Sequence, residues 1–204
     1  DEISYSEFRV HHPLTSTQIP AAWRDVKGVH LAPSQPEVML AMLDHFAPGG
    51  ALVTADPGSQ LATKSLDEIT PILARLDAFL PSEVELAMLV PSAGLAEALA
   101  TLAARCPGSV AVKLGPKGVL IWDRASRAPV QIPAEPVQTV DPTGAGDSFC
   151  GGFLAGLVET GDPVRAAQFG VISAAQVVAH FGADGALPAN LTAIRAVLTM
   201  KAAK

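Results

Sequence analysis

The feature that most restricts how this chain folds is a regular alternation of short β-type apolar runs with longer helical patterns, joined by links of a few residues. Val29-His30-Leu31-Ala32 is short, apolar and ended by Pro33, and Pro36 to Phe46 follows with Val38, Met39, Met42 and Leu43 on one helical face. Gly49-Gly50 breaks the chain before Ala51 to Ala55, a strand pattern that delivers Asp56-Pro57-Gly58 to its carboxyl end. Ser65 and Glu68 have the spacing of a capping box, ahead of a stripe of Leu66, Ile69, Leu73 and Leu76. Glu85 to Val90 reads as a further strand, Leu95 to Arg105 as a helix closed by Pro107-Gly108, and Ser109 to Leu114 as strand again. Such alternation implies an α/β fold whose sheet is mostly parallel, with right-handed crossovers.

The last third departs from that rhythm. Gly115-Pro116-Lys117-Gly118 is short enough to join Ser109–Leu114 to Val119–Trp122 as a hairpin, and Val130 to Ile132 and Val137 to Val140 supply further β segments. Asp162 and Pro163 have the N-cap and N1 pattern of a helix expected to run to about Phe181. A loop at Gly182 to Gly185 and a final helix capped by Asn190 complete the expectation. Residues Asp1 to Ala22 read as irregular, with an edge strand near Phe8 to Val10, and the adjacent His11 and His12 diverge too far to make a metal pair. No repeat or low-complexity linker divides the 204 residues, so one domain is expected over 1-204.

Composition narrows the function. The chain is 49% hydrophobic and 17% charged, with a mean hydropathy of +0.33. Polar residues interrupt every apolar stretch before it reaches membrane-spanning length, so strands buried on both faces account for the hydropathy. A net charge of -6 and a pI near 5.3 argue against a nucleic-acid binder, which needs clustered Lys and Arg. Cys106 and Cys150 form no CxxC pair, which supports neither a metal site nor a disulfide framework. No basic-then-apolar leader opens the chain, and a cytoplasmic protein is expected.

The chemistry concentrates in Val140-Asp141-Pro142-Thr143-Gly144-Ala145-Gly146-Asp147-Ser148-Phe149-Cys150-Gly151-Gly152-Phe153. Gly144 and Gly146 permit a sharp turn, and Phe149, Phe153, Leu154 and Leu157 recur at helical spacing, which predicts a buried helix beginning near Gly146. The first amides of a helix lack internal partners and attract anions such as phosphate. Asp147, in that first turn, has a place where a carboxylate stays ionised and can take a hydroxyl proton, or where it simply caps the helix.

The run from Asp141 to Phe149, followed by Gly151-Gly152-Phe153, resembles the C-terminal signature of the ribokinase-like (PfkB) carbohydrate kinases. The resemblance extends from about Gly28 to Pro188. It implies a Rossmann-like three-layer α/β sandwich and an ATP-dependent phosphotransferase acting on a hydroxyl of a sugar or sugar-like molecule. By resemblance, Asp147 is the catalytic base, and the backbone of Gly144, Ala145 and Gly146 is the anion hole.

The same resemblance assigns Lys113, Gly115, Lys117 and Gly118 to the nucleotide phosphates, with Lys113 where relatives commonly have threonine, or else the two lysines are charges facing water. Val137, Gly170 and Val171 fall to the adenine. From its place at a strand's carboxyl end, and not from the resemblance, Asp56 is a candidate contact to the acceptor, or Asp-Pro-Gly is an ordinary turn. Asp141 and Thr143, with the backbone near Phe181 and Gly182, correspond to a monovalent-cation site for K⁺, or Asp141 caps its own loop. The family's Asn-x-x-Glu element, which organises Mg²⁺ and phosphate, is matched here to Ser92 and Leu95, and a leucine there removes the carboxylate.

A rival follows from that substitution: a non-catalytic nucleotide-binding or regulatory protein on the same fold. The N-terminal strands, lid and di-glycine sugar motif of the family have no counterpart in this chain, which begins with Asp1, so the lid is expected to be missing or incomplete. A homodimer through such a lid is compatible with the resemblance. Neither a Walker A loop nor a dinucleotide fingerprint is present, since Phe149 stands where a third glycine is required.

Overall fold

The computed structural model describes residues 15–182. The expectations for Phe8 to Val10, for His11 and His12 and for the helix after Asn190 lie outside these residues.

Four strands run parallel: β1 (Gly28–Leu31), β2 (Leu52–Ala55), β3 (Ala78–Phe79) and β4 (Ser109–Lys113). A 3₁₀ turn at Gly115–Lys117 then reverses the chain into antiparallel β5 (Val119–Asp123), which pairs with antiparallel β6 (Ala128–Ile132). The six stand side by side in sequence order. Gly118 makes the hairpin possible, because at its φ of +90° a Cβ would overlap the Ile132 carbonyl.

Between the parallel strands lie α1 (Pro36–Phe46), α2 (Gly58–Ala62), α3 (Leu66–Leu73), α4 (Glu83–Leu89) and α5 (Leu95–Ala103). After β6 come α6 (Ala145–Thr160) and α7 (Pro163–Val178). Side chains of a strand alternate between faces, and the two cores follow from that alternation. Leu31, Val53, Ala55, Phe79, Val110 and Val112 pack with α1 to α5, whereas Ala78, Leu80, Ala111, Val119 and Ile121 pack with α6 and α7. The result is a three-layer sandwich with a mostly parallel sheet. Burial on both faces is the physical source of the high hydropathy.

Small residues let α6 and α7 come close. A Cβ at Gly152 would lie 2.7 Å from Ser173 Cβ, and one at Gly156 would lie 2.9 Å from Ala166 Cα. A Cβ at Gly28 would meet Leu154 at 2.8 Å, so α6 rests directly on β1.

The structure corrects several local expectations. Glu85 to Val90 belongs to helix, not strand, because Ser82 caps it: Glu85 N donates to Ser82 Oγ at 3.3 Å, and Ser82 N donates to Glu85 Oε2 at 2.6 Å. The strand of this unit is instead the two-residue β3, too short to show a period. Val137 to Val140 form no strand, and α7 ends at Val178 rather than near Phe181. Asp56-Pro57-Gly58 leads into the short helix α2, which a simple turn does not include. The capping boxes at Ser65/Glu68 and the Asp162 cap form as expected.

Candidate active site

The site assembles at the start of α6, beyond the carboxyl end of β4, which is where open parallel sheets present ligands. Gly144, at φ +79°, turns the chain into the helix as its N-cap and contributes no capping side chain. Ala145 N donates to Pro142 O at 3.2 Å, and Ser148 N to Gly144 O at 2.9 Å. Among the described residues, the amides of Gly144, Gly146 and Asp147 meet no acceptor. The unpartnered amides thus differ in one member from the set expected to form the anion hole: Ala145 is used in the turn, and Asp147 is free in its place. Asp147 itself is exposed in the first turn.

A cavity of about 420 Å³ opens beside this turn. Of the residues expected to contact nucleotide, Lys113, Gly115, Gly118, Val137 and Val171 line it, as do Ala145 and Gly146 of the expected anion hole. Lys117 and Gly170 do not. Lys117 is exposed, and its carbonyl accepts from Gln131 Nε2 at 2.8 Å. Gly170 is a packing residue of α7, where a Cβ would meet the Phe149 ring at 2.7 Å. Pro136, Thr139, Ala174 and Val178 extend the cavity wall, and none of the four carries a signal in the sequence that marks it for this place.

Asp56 and Lys113 form an ion pair from β2 to β4, with side chains 9% and 14% exposed. Asp56 Oδ1 also accepts from Gly58 N at 3.2 Å. Asp56 does not line the cavity. Cys150, buried in α6, places Sγ 3.7 Å from Lys113 Nζ and 3.6 Å from Asp56 Oδ2. Desolvation by burial acts to depress the lysine, but its neighbours Cys150 and Asp56 outweigh burial and hold its pKa above the ordinary value. Burial pushes the Cys150 thiol up to about 12, so at neutral pH it is a thiol and the partner of the ammonium is the Asp56 carboxylate.

His30 is a member of this cluster that sequence reasoning missed. It stands opposite Thr54 in the β1–β2 register, with Nδ1 2.9 Å from Thr54 Oγ1. Desolvation lowers its pKa, while Asp56 and Asp147 act to raise it and Lys113 to lower it. The signal for it is a titratable residue at the centre of an apolar strand.

Asp141 caps its own loop and reaches the segment at Gly182. Oδ1 accepts from Thr143 N at 2.9 Å and Oδ2 from Gly182 N at 3.1 Å, which brings the two predicted segments together and holds the carboxyl below its usual pKa. Thr143 is exposed.

The match of Ser92 and Leu95 to Asn-x-x-Glu fails on geometry. It requires a strand ending at Val90; instead Ser92 is exposed in a turn at φ +67°, between α4 and α5. The Ser82-x-x-Glu85 segment directly after β3 has the same spacing at a strand's carboxyl end and retains the glutamate. Glu85 is one of the charges that raise Lys113.

An α/β sandwich with unpartnered helix-start amides and an exposed carboxylate beside a cavity has the geometry that suits an anion of the phosphate type. The pfkB family carbohydrate kinase model matches residues 20–190, and the chain belongs to that family. It is 29% identical over 177 residues to a cytidine kinase of Thermococcus kodakarensis, covering 86% of this chain and 64% of that protein. The ribokinase structure from Thermotoga maritima superposes with a TM-score of 0.73 at 27% identity, over 90% of this chain and 60% of that one. A Vibrio cholerae fructokinase structure, bound to fructose, ADP and calcium ion, gives 0.72 at 25% identity, over 90% and 64%. The chain therefore spans less than two thirds of the length of each of these relatives. No described helix is long and apolar enough to cross a membrane.

Proposed function

We propose that the protein is an ATP-dependent phosphotransferase that moves the γ-phosphate to a hydroxyl of a sugar or nucleoside-like acceptor. The observation that carries this is the exposed Asp147 carboxylate in the same helical turn as the free amides of Gly146 and Asp147. The amides and Lys113 hold the phosphoryl group, the cavity wall at Val137 and Val171 takes the base, and Asp147 receives the acceptor's hydroxyl proton. The acceptor oxygen then bonds to phosphorus as the bond to ADP breaks, with the charge spread over oxygens that fixed dipoles stabilise. Kinase relatives acting on cytidine and fructose support the reaction class and leave the acceptor between nucleoside and sugar.

A divalent cation fits the site as a passenger of the nucleotide. Among the described residues, no three His, Cys, Asp or Glu side chains cluster to hold a metal. Mg²⁺ ordinarily keeps most of its water and binds through phosphates with one or two carboxylates, and Glu85, whose Oε1 takes no hydrogen bond among the described residues, is the group we assign to that water shell. Bound there, Mg²⁺ supplies charge screening for the nucleotide. The feature that favoured a non-catalytic relative, Leu95 in place of glutamate, disappears with the Glu85 assignment. A K⁺ site at Asp141 is the finer part of the proposal, tested by comparing rates in K⁺ and Na⁺.

The deciding experiment uses the complete natural protein with Mg-ATP and a panel of sugars and nucleosides, following ADP release. Transfer to one acceptor well above the ATPase background is the expected outcome. Tight ATP binding with no transfer to any acceptor would overturn the enzyme reading.

A further inference from the structure

We infer that Asp56 is a positioning residue for phosphoryl transfer that acts through Lys113, fixing its ammonium beneath the first turn of α6 for an anion held there. The inference rests on the phosphotransferase reading, and it gives Asp56 a role other than touching the acceptor.

Asp56 has little left to offer a ligand. It is 7% exposed, one oxygen accepts from Gly58 N, the other faces Lys113, and the residue is absent from the cavity wall. Lys113 is the opposite case, because it lines the cavity while rooted in β4. Its Nζ lies 3.8 Å from where a Cβ on Gly146 would stand, next to the unpartnered amide of that residue.

A lysine has four rotatable bonds and three N–H donors. Left alone, it samples many positions, and ordering it costs conformational entropy. Here one donor is held by Asp56 across β3 and Cys150 Sγ lies 3.7 Å away, which leaves a donor with no acceptor among the described residues. Buried, the ammonium keeps its charge because the carboxylate is beside it. A preorganised cation next to helix-start amides is worth more to a transferring phosphoryl than one that must be gathered on binding.

The test compares Asp56→Asn, Asp56→Glu, Lys113→Met and the Asp56→Asn/Lys113→Met double variant of the complete protein, each checked for folding by circular dichroism. KM and kcat are measured separately for ATP and for the acceptor, and ATP affinity by calorimetry. Expected for Asp56→Asn is a fall in kcat/KM for ATP of roughly 10- to 100-fold, the scale of a lost charge-assisted hydrogen bond, with acceptor KM unchanged. Asp56→Glu regains part of the loss, and the double variant is no worse than Lys113→Met. A raised acceptor KM, an unchanged ATP profile, or an Asp56→Asn defect that multiplies that of Lys113→Met overturns the inference alone. Should Asp56→Asn fail to fold, Asp56→Glu decides by the same split between ATP and acceptor. A wild-type protein that binds ATP without transfer removes the enzyme reading and leaves ATP affinity to judge Asp56; one that binds no ATP removes both.

Discussion

Gly146 in α6 and Lys113 in β4 face one another so closely that a methyl on the glycine would lie 3.8 Å from the lysine Nζ. Outside the helix itself no atom of the described residues stands nearer than that to the position, so Gly146→Ala is expected to fold normally and even to gain helix propensity, by up to about 1 kcal/mol. It should nonetheless weaken ATP, roughly tenfold, by crowding the space between ammonium and amides. Gly118→Ala is the contrast, since its Cβ would overlap the Ile132 carbonyl at a positive φ. A loss of about 2 kcal/mol or more is expected. Thermal melts beside ATP titrations separate the two; equal destabilisation of both variants would contradict this account.

Asp147→Ala should lower kcat by roughly 10²- to 10⁴-fold if the carboxylate takes the hydroxyl proton. Its side chain is exposed and makes no hydrogen bond among the described residues, so stability and ATP affinity should change little. Near-normal turnover would remove Asp147 from the chemistry.

Glu85→Gln tests the reassigned carboxylate. Glutamine can still accept from Ser82 N, so the cap on α4 should survive with a loss of about 1 kcal/mol or less. The Mg²⁺ concentration for half-maximal rate should rise several-fold. A variant with wild-type Mg²⁺ dependence argues that the metal is held by nucleotide and water alone.

Burial depresses the His30 imidazole below the ordinary histidine value of 6.5. The unfolded chain therefore binds a proton at higher pH than the folded one, and stability rises with pH wherever that difference exists. Both states are neutral above the unfolded value, so the contribution appears as pH falls from about 6.5 toward the lowered folded value, as a loss of stability. His30→Gln, which can keep a hydrogen bond to Thr54, should flatten the melting temperature between about pH 7.5 and 5.5. An unaltered slope would show that other groups govern this limb.

Much of the architecture is legible in the sequence because its signals are local. Pro36–Phe46 carries its own period, Ser65/Glu68 its own cap, and Gly144 to Asp147 its own turn and charge. Where a cap and an apolar run compete, at Ser82 and Glu85 to Val90, the cap prevails, and with the change from strand to helix the segment proposed to organise the metal moves too. Two-residue β3 carries too few side chains for any pattern.

From residue order alone come the alternating units, the glycine turn and an acid in a helix's first turn, since each depends on neighbours within a few positions. The folded molecule alone decides that Asp56 sits buried against Lys113, that His30 joins them, and that Gly170 packs on Phe149 instead of facing the cavity. Asp56 and Lys113 are 57 positions apart, and the other contacts join neighbouring strands or helices. Strand register and helix packing determine them, and neither is encoded in any single stretch of the chain.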